Sequence, residues 1–172
     1  MNTLAHLLLN YMLSLLATKS IQKSLKLATL TSLIPDSPFS IGLVLYYTEI
    51  INKDTLKIFA NIKYALHSIT AILILSLILL LLNAPKKDII LFQLLYLTHL
   101  TCDIFINTSI NNKGEGGPLI FFPLYNKHIN LRIYPTISQY DLFFTVILTL
   151  ATIILTTSIQ NKVTIWYKIP LI

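Results

Sequence analysis

Apolar residues dominate long stretches of this chain, and the points where charge returns divide them into segments of helical length. Between Lys63 and Lys86 no Asp, Glu, Lys or Arg occurs, and Ile69 to Leu82 is almost wholly aliphatic. A charge at the centre of a spanning helix costs about 2.5–3.5 kcal/mol, so an uncharged run predicts a helix in the bilayer. A second such run lies between Asp141 and Lys162, and about 20 residues suffice to cross the hydrocarbon core. Ile89 to Cys102 makes a third span if Asp103 closes it at one interface.

The first half alternates more finely. Residues 3–18 read as one apolar helix and residues 20–34 as a second running back, each short for a full crossing. Pro35 is expected to stop the second helix, because the residue before a proline is pushed out of helical geometry. Pro38 then starts a third apolar segment, Ser40 to Ile51, since proline suits a first helical turn. Residues 52–65 set Lys53, Lys57 and Lys63 against Leu56, Ile58, Phe59 and Ile62, the pattern of a helix lying in the membrane interface. Residues 107–139 form a long polar connection carrying three of the four glycines. A loop of that length in a compact bundle is usually functional or disordered. The expected fold is all-α: a polytopic membrane helical bundle of four to six helices, forming a single membrane-embedded domain over 1–172 with the polar loop at 107–139.

Composition strengthens the membrane reading. Charged residues make up 12% of the chain and hydrophobic ones 55%, where a soluble domain carries about 25% charged residues. The net charge of +6 is scattered as single lysines with no basic stripe, which argues for membrane orientation and against a nucleic-acid partner. Cys102 stands alone, so neither an intrachain disulfide nor a cysteine metal cluster is expected. In residues 1–18 the lysines follow the apolar run instead of preceding it, so a retained helix is expected there and not a cleaved signal.

Folding the helices as hairpins sorts the polar residues onto two faces. One face receives His6, Asp36, His67, Asp103 and the 107–139 loop, with His99 one turn deeper. The other receives Lys19, Lys23, Lys26, Lys86, Lys87, Lys162 and Lys168 against Asp88 alone, and this lysine face is expected to be cytoplasmic. The sharpest local signal is His99-Leu-Thr-Cys-Asp103. Residues i and i+4 share a helix face, and imidazole and carboxylate are both ligands for Zn, Mn or Fe. Asn107 extends the same stripe. The structural reading competes at each position: His99 and Asp103 locking a helix interface, Asp36 as a turn residue, His67-Ser68 as a cap. Convergence of three of the four histidines and two of the seven acids on one face favours a site. His128 reads as solvated, Cys102 as a small core residue and Arg132 as an exposed loop arginine; Glu115 is loop-borne.

In order along the chain, His6, Ile34-Pro35-Asp36, His67-Ser68, His99-Leu-Thr-Cys-Asp103 and Phe122-Pro123-Leu124 make a pattern. It resembles the YdjM-like family of small membrane-bound, metal-dependent hydrolases, named for a LexA-regulated inner-membrane protein of bacteria. The resemblance covers about residues 1–155. It implies an inner or plasma membrane protein in which His6, Asp36, His67, His99 and Asp103 hold one or two divalent ions (Zn, Mn or Fe). Asp36 or Asp103 would double as the catalytic base. The substrate would be a phosphoester or ester of a membrane lipid or lipid-linked molecule. Two departures bear on this. Pro38 stands where the family often carries a second acid, which removes a possible ligand, and Leu66 stands where a threonine often precedes the histidine. The competing expectation is a non-enzymatic membrane protein, either a small ion or solute carrier or a structural subunit of a membrane complex.

Overall fold

A computed structural model of the protein describes residues 3–105, 119–124 and 138–167. Among these it contains six α-helices and no strand: α1 (Thr3–Thr18), α2 (Ile21–Tyr47), α3 (Lys53–Leu66), α4 (Ile69–Leu81), α5 (Lys86–Phe105) and α6 (Ser138–Tyr167). Most of the 107–139 connection lies outside the described residues, and with it Asn107, Glu115, His128 and Arg132.

α2 corrects the expected break at Pro35. It runs unbroken for 27 residues with Pro35 and Pro38 in its interior, and absorbs the segment expected to begin at Ser40. An interior proline removes one helical hydrogen bond and costs about 3 kcal/mol. Packing outweighs that penalty here, for Pro35 is fully buried and α2 is flanked by α1, α3 and α5. Proline is tolerated in this way where neighbouring helices support the loosened backbone.

The run between Lys63 and Lys86 also differs from one long span. Its aliphatic part is α4, 13 residues long. At 1.5 Å per residue it reaches about 20 Å, short of a hydrocarbon core about 30 Å thick. α3 and α4 meet at a 75° bend with His67 and Ser68 in the break. Ser68 caps α4 by accepting from the Ala71 amide at 3.2 Å, and its hydroxyl donates to the Ala65 carbonyl at 2.6 Å. α3 buries no residue, in keeping with an amphipathic helix at an interface.

By length and composition α2 can cross a membrane, and the bent α3–α4 pair can make a second span; α1 and residues 145–160 are shorter apolar helices. The distribution of side chains adds to this. Leu73, Leu81, Leu150 and Ile154 are each more than half exposed, whereas His6, Asn10, Ser14, Ser24, Thr31 and Ser32 are fully buried. A water-soluble fold does the reverse. Exposed aliphatic surface on this scale marks an apolar surrounding.

Two kinds of interior hold the helices together. Leu27, Ile72, Phe92, Leu95, Tyr96 and Leu100 form an apolar core between α2, α4 and α5. Along α1, His6, Asn10, Ser14 and Thr18 recur every fourth residue, which places them on one face. That face is polar and turned toward α2. The Asn10 amide donates to the Thr31 and Ser32 hydroxyls at 3.0 and 3.1 Å, and Thr18 and Ser24 share a hydrogen bond of 2.8 Å.

α2 and α3 lie antiparallel in a tight register. Gly42 faces Phe59, Phe39 faces Lys63 and Asp36 faces His67, about one turn per step. At the start of α2, Lys23 is ion-paired with Asp88 at the start of α5. Asp36 and Asp103, which lie 13 and 15 residues further along those helices, meet again, so α2 and α5 run parallel. The acid-and-histidine group is therefore about 20 Å from the Lys23–Asp88 pair.

Candidate metal centre

Five elements of sequence converge where the last turns of α5 meet α2 just past its middle. Asp36 is held in α2 between its two prolines, His67 occupies the α3–α4 break, and His99 and Asp103 stand one turn apart on α5. His6 reaches the same place from α1. All five residues singled out from sequence thus lie together, and four of them form one compact group. Asp36, His67, His99 and Asp103 each present a ligand atom within 4.8 Å of the others. Half-buried Cys102 stays outside that group.

The separations have a specific meaning. His67 Nε2 is 3.2 Å from Asp36 Oδ1, 3.3 Å from Asp103 Oδ2 and 3.3 Å from His99 Nε2. His99 Nε2 is 3.4 Å from Asp103 Oδ2 and 4.0 Å from Asp36 Oδ1. Ligands about 2.1 Å from a tetrahedral ion stand about 3.4 Å apart, because that is the edge of the tetrahedron. Four of these five distances fall within 0.2 Å of that edge, and all the ligand atoms lie within 4.8 Å of one another. The residues present fit a divalent ion.

Hydrogen bonds outside the group aim its donors inward. His67 Nδ1–H donates to the Lys63 carbonyl at 2.8 Å, which leaves the Nε2 lone pair turned toward the two carboxylates. Acceptors facing acceptors at this range repel unless a positive charge lies between them. Each carboxylate is tied by its other oxygen to α1. The Thr3 hydroxyl donates to Asp36 Oδ2 at 2.9 Å, and His6 Nε2–H donates to Asp103 Oδ1 at 2.8 Å. His6 is thus an outer partner of Asp103 and also stacks on His99 with ring centroids 3.9 Å apart. Such outer contacts orient metal ligands and fix histidine tautomers. Among the described residues, the buried Nδ1 atoms of His6 and His99 have no hydrogen-bond partner.

The break carrying His67 is itself fastened. The Tyr96 hydroxyl donates to the Leu66 carbonyl at 2.7 Å, tying α5 to the end of α3. Leu119–Leu124 packs on the start of α4, where the Ile69 amide donates to the Ile120 carbonyl and the Thr70 hydroxyl to the Phe122 carbonyl, both at 2.8 Å. Ile69 N–H is one of the amides that a helix start leaves without an internal partner. The Phe-Pro-Leu segment of the sequence pattern therefore anchors the element that presents His67. Thr3, Lys63 and Tyr96 escape a reading of the sequence. Thr3 alone had a local signal, one turn before His6 on the same helix face.

No curated protein and no solved structure matches the chain. A family model described as YdjM inner membrane protein matches residues 1–171. With that match spanning the chain, and the His and Asp residues of the family-like pattern gathered in one place, the protein belongs to the YdjM inner membrane protein family.

Proposed function

We propose that Asp36, His67, His99 and Asp103 hold a divalent metal ion and that the protein is a membrane-bound, metal-dependent hydrolase. Its substrate is a phosphoester carried on a lipid or lipid-linked molecule. The observation that supports this reading best is the gathering of the four donor atoms within 4.8 Å, four of their separations at 3.2–3.4 Å. When bound, a divalent ion at such a site activates water at neutral pH and polarises a phosphoryl oxygen. The chain's own part is to hold the donors. Thr3 and His6 fix the outer oxygens of Asp36 and Asp103, and the Lys63 carbonyl fixes His67. Asp36 or Asp103 then orients a water and accepts its proton. His6, engaged with Asp103 through Nε2, acts in this scheme as the partner that positions that carboxylate. A lipid-borne substrate agrees with the placement of the group beside α3, the helix with no buried residue.

Detergent-purified protein, prepared without added metal and then reloaded with Zn, Mn or Fe, is expected to retain about one ion per chain, as four donors around one centre can hold. Asp103→Ala is expected to lose it, and metal analysis by mass spectrometry decides. An empty wild type after reloading sinks the proposal. Metal without hydrolysis of phosphoesters presented in mixed micelles moves the reading to a non-enzymatic ion-binding protein. The 75° break at His67 favours that second reading, since carriers bind ions where helices are interrupted. In either reading the Lys23–Asp88 end, with Lys19, Lys26, Lys86 and Lys87 close in sequence, is assigned to the cytoplasm. A cysteine replacing Lys87 should then resist a membrane-impermeant maleimide on intact cells, and rapid labelling would reverse the assignment.

A further inference from the structure

Lys63 stands beside the proposed centre, near the end of α3. Its ammonium is 3.9 Å from Asp36 Oδ1, the oxygen that faces His67, and 5.5 Å from the centroid of the Phe39 ring. Its side chain is 35% exposed, while those of His67 and His99 are buried. At 3.9 Å the ammonium is attracted to Asp36 but lies beyond hydrogen-bond distance, so its N–H donors are not spent on that carboxylate. The Phe39 face holds a cation without consuming a donor. Through its carbonyl the same residue fixes His67 Nδ1, so the position of Lys63 and the aim of His67 are set together.

A lysine needed only as a counter-ion to Asp36 would close to hydrogen-bond range. One held slightly off, part-exposed and with its donors not spent on Asp36, is suited to an arriving anion. We infer that the Lys63 ammonium binds a non-bridging oxygen of a phosphoryl group whose neighbouring oxygen is turned to the Asp36–His67–His99–Asp103 centre. This rests on the proposed metal-dependent reading and adds the residue that selects a phosphoryl group over a neutral ester. A compact ammonium with three rotatable donors suits such an oxygen.

The test uses full-length, metal-loaded protein in detergent, with inorganic phosphate and dihexanoyl phosphatidate as probes in titration calorimetry. Metal content is measured on the same samples. Lys63→Met is expected to keep its metal and to bind both probes about 10–100-fold more weakly, the worth of a charge-assisted hydrogen bond. Lys63→Arg is expected to recover most of that loss. A phosphoryl group on lipid makes phosphatidate the tighter probe in the wild type, and a free phosphoester makes the two equal; the loss in Lys63→Met supports the inference in both cases. Unchanged phosphate affinity in Lys63→Met overturns it. So does loss of metal in that variant, which would make Lys63 a support of the centre. A wild type that binds metal but neither probe overturns it while leaving the metal reading standing. A wild type without metal removes the metal reading itself.

Discussion

Stripping the protein of divalent metal with a chelator is expected to lower its melting temperature in detergent by about 8–16 °C, and returning the metal should restore it. The reasoning is linkage. A ligand that binds only the folded state, at 1,000 times its dissociation constant, stabilises that state by about 4 kcal/mol. For a chain of this length each kcal/mol moves the midpoint by about 2–4 °C. The unfolded chain offers little competition, because Asp36, His67, His99 and Asp103 come from three separated stretches that only the fold assembles. The metal would also offset the charge of two carboxylates that each face His67 Nε2, at 3.2 and 3.3 Å. Asp103→Ala should melt at one temperature whatever metal is supplied. Identical wild-type melting curves with chelator and with metal would contradict the proposed centre directly.

The second large effect is expected far from the donors, at Gly42. A Cβ there would lie 2.7 Å from Cβ and 2.8 Å from Cγ of Phe59, and 3.2 Å from a methyl of Leu56. Real Cβ atoms do not come that close, and the near end of Phe59 cannot swing away without moving α3. Small residues allow helix backbones to approach in this way. Gly42→Leu is therefore expected to push α3 off α2, at an overpacking cost of at least about 1–3 kcal/mol. Lys63 and His67 sit one and two turns along the same register, so they move away from Asp36 with it. The expected result is lower thermal stability together with weaker metal retention, although no ligand has changed. Ile41→Leu, one residue away and half exposed, should leave both unchanged. A Gly42→Leu protein with wild-type melting and metal content would show that α3 can shift without disturbing the centre.

How far the sequence foretold this arrangement depends on the range of the physics involved. The His99–Asp103 pair was legible because i,i+4 spacing is local to one helix. The gathering of His6, Asp36 and His67 beside it followed from folding uncharged runs back and forth. Pro35 misled, because the rule for the residue before proline describes an unsupported backbone, and burial against three neighbouring helices overrides it. The α3–α4 break was read only as a possible cap. Charge-free runs report lipid compatibility and say nothing of direction, so a 75° bend inside one leaves no mark in hydropathy. Thr3, Lys63 and Tyr96 became visible only with the packing. Their roles depend on the register of α1, α3 and α5 against their neighbours, and one residue type at one position carries no information about register.

The buried polar face of α1 has a consequence for how the protein is made. A hydroxyl or amide placed in hydrocarbon without a partner costs about 4–8 kcal/mol, and α1 carries His6, Asn10, Ser14 and Thr18 on one side. Alone in a bilayer it would be a poor guest. Its partners Ser24, Thr31 and Ser32 follow in the next helix, across a turn of two residues, Lys19 and Ser20. The pairing of Asn10 and Thr18 with α2 therefore favours insertion of the two helices together, as a hairpin. His6, whose partner Asp103 lies on α5, is completed only when that later helix packs beside the pair.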